Sequence, residues 1–160
     1  MQSSQDVENL ADCLRIYEQW HAFARDGDTE ALCRLYADDA VIETPLALAI
    51  PPNHTTGLLR GKSEIRQFLE EGRKRRPNEL VRWYRSGTFF ANGRQVVWEY
   101  PRATPDGDQV DLVEAIDVAG GLIAHHRIYW GWFGVRLLIE SAVAKVRAEL
   151  AGELRGARSS

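Results

Sequence analysis

Few side chains in this chain could handle a proton near neutral pH, and several of them fall on two neighbouring segments. Residues 109–118 carry Glu114, and residues 122–132 carry His125, His126 and Arg127. A carboxylate beside an imidazole is a proton-handling pair. The acid raises the proton affinity of the His, and burial raises that of the Glu. Such a pair can give a proton to a bound molecule or take one from it. Glu99, one segment earlier, is a third candidate. His125 and His126 are adjacent and so point to opposite faces of a strand, which separates them as metal ligands. No other His, Cys or acid spacing suggests a metal. No Gly-rich phosphate loop follows a strand, and no Ser sits on a nucleophile elbow. The chemistry expected is acid/base work without a cofactor.

Strands must position these residues. From residue 80 the apolar period is two, with strands expected at 81–91, 94–103, 109–118 and 122–132. Asn92-Gly93, Pro105-Asp106-Gly107-Asp108 and Gly120-Gly121 join them as hairpin turns. The last turn decides the pairing. A three-residue turn at 119–121 sets Glu114 opposite His126. A two-residue Gly120-Gly121 turn puts Arg127 across from the acid and faces His126 away. The strand holding Glu99 has two registers as well: Trp98 and Tyr100 face in, or Val97 and Glu99 do.

Helices precede the strands. Residues 6–25 show a broad apolar arc of Val7, Leu10, Cys13, Leu14, Tyr17, Trp20, His21 and Ala24. Gly27 ends that helix and Asp28 can cap a short one over 29–37. A strand over 40–44 stops at Pro45, and an irregular loop, 46–60, contains His54. A third helix, 62–75, runs into Arg73-Lys74-Arg75-Arg76, cations that complement a helix C-terminus. The tail, 134–156, is helical, with Leu138, Ile139, Ala142, Val143, Val146, Leu150 and Leu154 as its stripe. It could cover an open end of the domain or pair with a second subunit.

Composition bounds the class. A chain of 160 residues, 44 % apolar, suits one domain with a real core. Its 20 basic and 23 acidic residues give −3, which argues against binding nucleic acid through bulk charge. Cys13 and Cys33 fall among apolar neighbours and read as buried free thiols. No apolar run approaches a membrane span, and the first residues lack the pattern of a signal peptide, so a cytoplasmic protein is expected.

The order helix, helix, short strand, loop, helix, four hairpin-linked strands resembles the nuclear transport factor 2-like superfamily, in its SnoaL-like and ketosteroid-isomerase-like branch. The residues that carry the resemblance are Asp26-Gly-Asp-Thr-Glu-Ala-Leu, Leu35-Tyr-Ala-Asp-Asp-Ala-Val-Ile-Glu-Thr-Pro45, Gly61-Lys-Ser-Glu-Ile-Arg-Gln-Phe-Leu and Gly121-Leu-Ile…Tyr129-Trp130. It implies an α+β cone, a curved antiparallel sheet wrapped on three helices as in a cystatin-like roll. The cone domain is expected over 1–133, with a C-terminal helical extension over 134–160. By the family's register, Leu112, Glu114, Ile116 and Val118 face the cavity, as do Ala124, His126, Ile128 and Trp130. Ile123, His125, Arg127 and Tyr129 then lie on the outer face, a usual dimer surface in the family.

Carried over residue by residue, the isomerase pattern departs here. The general-base Asp before the strand-ending Pro is Thr44, and the first-helix Tyr that donates to the oxyanion is Trp20. The second oxyanion donor, a protonated Asp, corresponds to Glu114. The proton-handling candidates are therefore Glu114, His126 and Glu99. Trp20, Tyr36, Thr44, Phe68, Trp98, Leu112, Ile128 and Trp130 are expected to bind substrate, as the walls of an apolar cavity. The ligand expected is a polyketide-, terpenoid- or steroid-like molecule. One functional reading is an isomerase, cyclase, dehydratase or epoxide hydrolase. The other is a non-catalytic binding or dimeric interaction module, favoured by Thr44 at the position of the base.

Overall fold

The computed structural model describes residues 4–50, 55–74, 88–103 and 109–156. The elements in order are α1 (Ser4–Asp26), α2 (Thr29–Arg34), β1 (Tyr36–Glu43), a 3-10 turn (Pro45–Leu48), β2 (Leu58–Arg60) and α3 (Gly61–Lys74). Then follow β3 (Phe89–Ala91), β4 (Gln95–Ala103), β5 (Gln109–Ala119), β6 (Leu122–Trp130) and α4 (Trp132–Gly156). His54, most of the strand expected at 81–91, Arg75, Arg76 and the turn at 105–108 lie outside the described residues.

One open, curved six-stranded sheet runs in the order β2-β1-β6-β5-β4-β3. Four of its five strand pairings are antiparallel, the arrangement expected, but β1 and β6 pair in parallel. The sheet's concave face packs on α1, and its apolar side chains meet Cys13, Ile16 and Trp20 there. Those three helix positions define the centre of the buried stripe. Leu10 and Leu14, read as part of it, sit at its edge and are exposed, while Ile16, left out of it, is fully buried. Cys13 and Cys33 are buried free thiols, and burial pushes both thiol pKa values up.

Asp28 caps α2 by accepting a hydrogen bond from the Ala31 amide at 2.9 Å. The helix is shorter than its apolar spacing suggested and stops at Arg34. The Leu35 carbonyl accepts from the Ile123 amide at 2.8 Å. This bond and the pairing of Tyr36 with Ile123 draw the chain into β1 four residues earlier than expected. Strand β2 was hidden in the loop, because three residues are too few to show a period of two.

The turn between β5 and β6 uses two residues, Gly120 and Gly121, with Ala119 paired to Leu122. Carried straight on, that register would oppose Glu114 to Arg127 and turn His126 outward. A β-bulge prevents this: Val118 pairs with Ile123 but Asp117 pairs with His125, so Ala124 is an extra residue. Beyond the bulge, Ile116 opposes His126, Glu114 opposes Ile128 and Leu112 opposes Trp130, all on the inner face. Ile123, expected on the outer surface, is fully buried, because it lies on the other side of the parity change. His125 and Arg127 do face outward. Arg127 donates to Asp117 at 2.6 and 2.8 Å, which holds that carboxyl below its ordinary pKa.

The C-terminal helix α4 touches β5, β6 and the 3-10 turn. Its Ile139, Val143, Val146 and Leu150 stay exposed. No helix among the described residues is long and apolar enough to cross a membrane.

Helix α1 holds the hairpin tip. Arg15 binds Asp12 and donates to the Gly121 carbonyl at 2.5 Å. Gly120 and Gly121 both have positive φ, 55° and 72°, a region that costs an L-residue about 1–2 kcal/mol. A Cβ on Gly120 would meet nothing within 4 Å, but one on Gly121 would lie 3.2 Å from the Arg15 guanidinium. Gly120→Ala is expected to cost about 1 kcal/mol in urea unfolding, and Gly121→Ala about 2 kcal/mol or more. Equal losses would show that α1 does not grip the tip.

Candidate active site

Between the inner sheet face and helices α1 and α3 lies a cavity of about 190 Å³. Its floor is made by β1, β5 and β6, and its mouth by the α1–α2 corner and the end of α3. Trp20, Tyr36, Phe68, Leu112, Ile128 and Trp130, all expected as walls, line it, as do Glu114 and His126.

The two polar floor residues are bound to each other. His126 Nε2 lies 2.5 Å from Glu114 Oε2, and both residues are 1 % exposed. They are diagonal rather than directly opposite, since each faces an isoleucine across the ladder. A diagonal neighbour is within reach of long side chains. The other imidazole nitrogen, Nδ1, lies 2.8 Å from the hydroxyl of Tyr36. That hydroxyl accepts in turn from Trp20 Nε1 at 3.4 Å.

The direction of the chain follows from its ends. Trp20 offers only a donor. Burial pushes the Tyr36 pKa well above the ordinary phenol range, so the hydroxyl keeps its proton. It gives that proton to His126 Nδ1 as a hydrogen bond. The arrangement therefore suits the neutral imidazole with its proton on Nε2, donated to the Glu114 carboxylate. Trp20, Tyr36, His126 and Glu114 form one line of donors that ends on an acid at the cavity floor. Tyr36 was expected as a wall; its link to His126 was not legible, because it depends on β1 pairing with β6.

Three expected site residues lie elsewhere. Glu99 is exposed. Val96 and Trp98 hold the inward positions of β4, so alternation turns Glu99 out. Trp98 is buried behind the cavity lining, packed on Trp20 at 5.3 Å and His21 at 5.0 Å between ring centroids. Thr44 is buried but is not part of the lining. Its hydroxyl caps the 3-10 turn by accepting from the Leu46 amide, and accepts also from Trp130 Nε1, both at 3.3 Å. The hydroxyl at the isomerase base position is thus already engaged. The mouth residues Arg25, Asp26, Thr29 and Arg73 line the cavity too. They were missed because only the fold brings the ends of α1 and α3 together. Among the described residues no group of three or more His, Cys, Asp or Glu could hold a metal ion.

The chain belongs to the SnoaL-like domain family, whose model matches residues 17–126. A search among curated proteins finds no match. The chain's fold is similar to that of solved nuclear transport factor 2-like structures. An NTF2-like protein of unknown function from Mesorhizobium loti is 19 % identical, with a TM-score of 0.59 over 82 % of this chain and 97 % of that one. A steroid delta-isomerase from Pseudomonas aeruginosa is 20 % identical, with a TM-score of 0.56 over 88 % of this chain and 96 % of that one.

Beside the floor, His21 sits in the aromatic cluster of Tyr17, Trp20 and Trp98. Burial pushes its pKa down to about 4, against the charge of Glu114 and a hydrogen bond to the Tyr17 backbone. The folded value lies below the unfolded one of 6.5, so the fold prefers the neutral ring. That preference is fully present above pH 6.5 and is lost as pH falls towards 4. Between pH 7 and 4.5 the loss amounts to on the order of 2–3 kcal/mol from this residue. His21→Phe should flatten this limb of the stability curve in denaturant unfolding. An unchanged acid slope would place the sensitivity in another group.

Proposed function

We propose that this protein is a small-molecule enzyme that moves a proton on an apolar substrate held in the cone cavity. The observation that carries the reading is the buried line from Tyr36 through His126 to Glu114, ending on the cavity floor. A carboxylate in such a place meets a bound molecule with little water between them, within reach of a proton on it. Both nitrogens of His126 are engaged, so the group presented to the ligand is the carboxylate of Glu114. His126 orients that carboxylate, and Tyr36 orients His126.

Glu114 would take a proton from an activated C–H of the substrate and return it to a second atom of the same molecule. Isomerisation needs no more than these two transfers. The apolar walls Phe68, Leu112, Ile128 and Trp130 would hold a ring system against the floor and keep water out. The resemblance to a steroid delta-isomerase fold supports a proton-transfer reaction on a ring. Cyclisation, dehydration and epoxide opening use the same acid/base pair and stay within the proposal.

A second reading is a binding module with the same cavity and no turnover. It is favoured by Thr44, whose hydroxyl is committed to the backbone and to Trp130 where the related isomerases carry a base.

Solvent-deuterium exchange separates the two. A panel of β,γ-unsaturated ketones, 1,3-diketones and polycyclic phenols is incubated with the protein in D₂O and followed by mass spectrometry. The enzyme is expected to exchange or isomerise at least one class. Glu114→Gln should then slow it by about 10²–10⁴-fold while leaving binding intact. Tyr36→Phe should cost about tenfold, by loosening His126. Wild-type rates in both Glu114→Gln and His126→Ala would remove these residues from the site. Binding without exchange across the panel would favour the second reading.

A further inference from the structure

The charges of the cavity are divided between its two ends. The floor holds Glu114, and the mouth holds Arg25, Asp26 and Arg73. Arg25 is tied to Asp26 at 3.1 Å. In the last turn of α3, Lys74 is tied to Glu71 at 2.6 Å. Arg73 has no such partner: among the described residues no carboxylate forms an ion pair with it. Its side chain instead lies across Gly27 at the α1–α2 corner, where a Cβ would come within 3.4 Å of Nε. Gly27 has φ of 70°, so the corner favours glycine, and the guanidinium has room to rest at the mouth.

From this arrangement we infer that the ligand carries an acidic group, a carboxylate or its like, which Arg73 receives at the cavity mouth. The inference rests on reading the cavity as a ligand site. The guanidinium fork matches a carboxylate in two hydrogen bonds. Glu114 adds a second orienting force, because an anionic head group is repelled from the floor that it occupies. A molecule with one acidic end and one apolar end can therefore enter in one sense only. Its acid stays at the rim, and its apolar body, with the carbon that reacts, reaches Glu114. The substrate class narrows from any apolar ring system to an apolar acid.

Two dyes with the same apolar body test this directly. 8-Anilinonaphthalene-1-sulfonate carries an anionic group, and N-phenyl-1-naphthylamine lacks it. Fluorescence titration should show Arg73→Gln weakening the sulfonate dye by about three- to fivefold, as expected for a charge contact made by an exposed arginine. The neutral dye should change less than twofold. Arg73→Glu should weaken the sulfonate dye further. Unchanged sulfonate binding in Arg73→Gln would reduce Arg73 to a cation at a helix end and overturn the inference. Equal weakening of both dyes would overturn it too, since Arg73 would then only shape the wall. Ala24→Phe, which fills the cavity, checks the underlying reading separately. If both dyes bind that variant as tightly as wild type, the cavity is not their site and both readings fall.

Discussion

A carboxylate enclosed in an apolar cone has to find its hydrogen bonds inside the protein, and the rest of this structure is built around that demand. Glu114 sits between Leu112 and Ile116 on the inner sheet face, 1 % exposed. Left alone, a charge there would cost several kcal/mol. His126 supplies the donor, Tyr36 supplies the donor that His126 needs, and Trp20 donates to Tyr36. These four residues come from β5, β6, β1 and α1. The line therefore ties the centre of the sheet to the first helix, and the parallel pairing of β1 with β6 is what closes it. The bond to the charged carboxylate contributes on the order of 1.5–3 kcal/mol, and the two neutral bonds behind it about 0.5–1.5 kcal/mol each. Breaking one end strands the next group, so the line acts as a unit.

The bulge at Ala124 reconciles the hairpin with this line. Two glycines at positive φ suit a two-residue turn, and that turn alone gives the wrong parity. One extra residue on β6 restores it for everything beyond. It also puts Ile123 and His126 on the same face although they are three residues apart, a spacing no regular strand allows. Two local demands, a tight turn outside and a His inside, are thus met by one irregularity. The grip of Arg15 on the Gly121 carbonyl holds the tip while the strand adjusts.

Much of this could be read from the chain. The periods of two and 3.6, the turn glycines and the Asp28 cap mark the elements, and Glu114 and His126 stand out as polar residues in apolar strands. What could not be read was non-local. The register between β5 and β6 depends on a bulge that has no residue signature of its own, since Ala124 is an ordinary strand residue. The role of Tyr36 depends on which strand lies beside β1. Glu99 and Trp98 occupy alternate faces, and only packing on Trp20 and His21 decides which faces in. Thr44 looked like a residue in the cavity because of its place before Pro45, but a hydroxyl there is better used in capping the turn that the proline starts.

The engagement of Thr44 also bears on how the site would work. A base at the end of β1 would approach the ligand from one wall, whereas Glu114 approaches from the floor on β5. In this geometry the donor nearest to the reacting carboxylate is the Nε2–H of His126. While Glu114 is charged, that proton stabilises it. Once Glu114 takes a proton, the negative charge passes to the ligand, and the new O–H of Glu114 is the donor that faces it. An intermediate would then meet a group already held in place through His126 and Tyr36, without rearranging the site between steps. Such fixity requires a ligand that presents the same carbon each time. The floor alone cannot enforce this, because its apolar walls grip a ring in several orientations. On the proposed function, the asymmetry of charge between floor and mouth would supply the missing constraint, and positioning and catalysis would divide between opposite ends of one cavity.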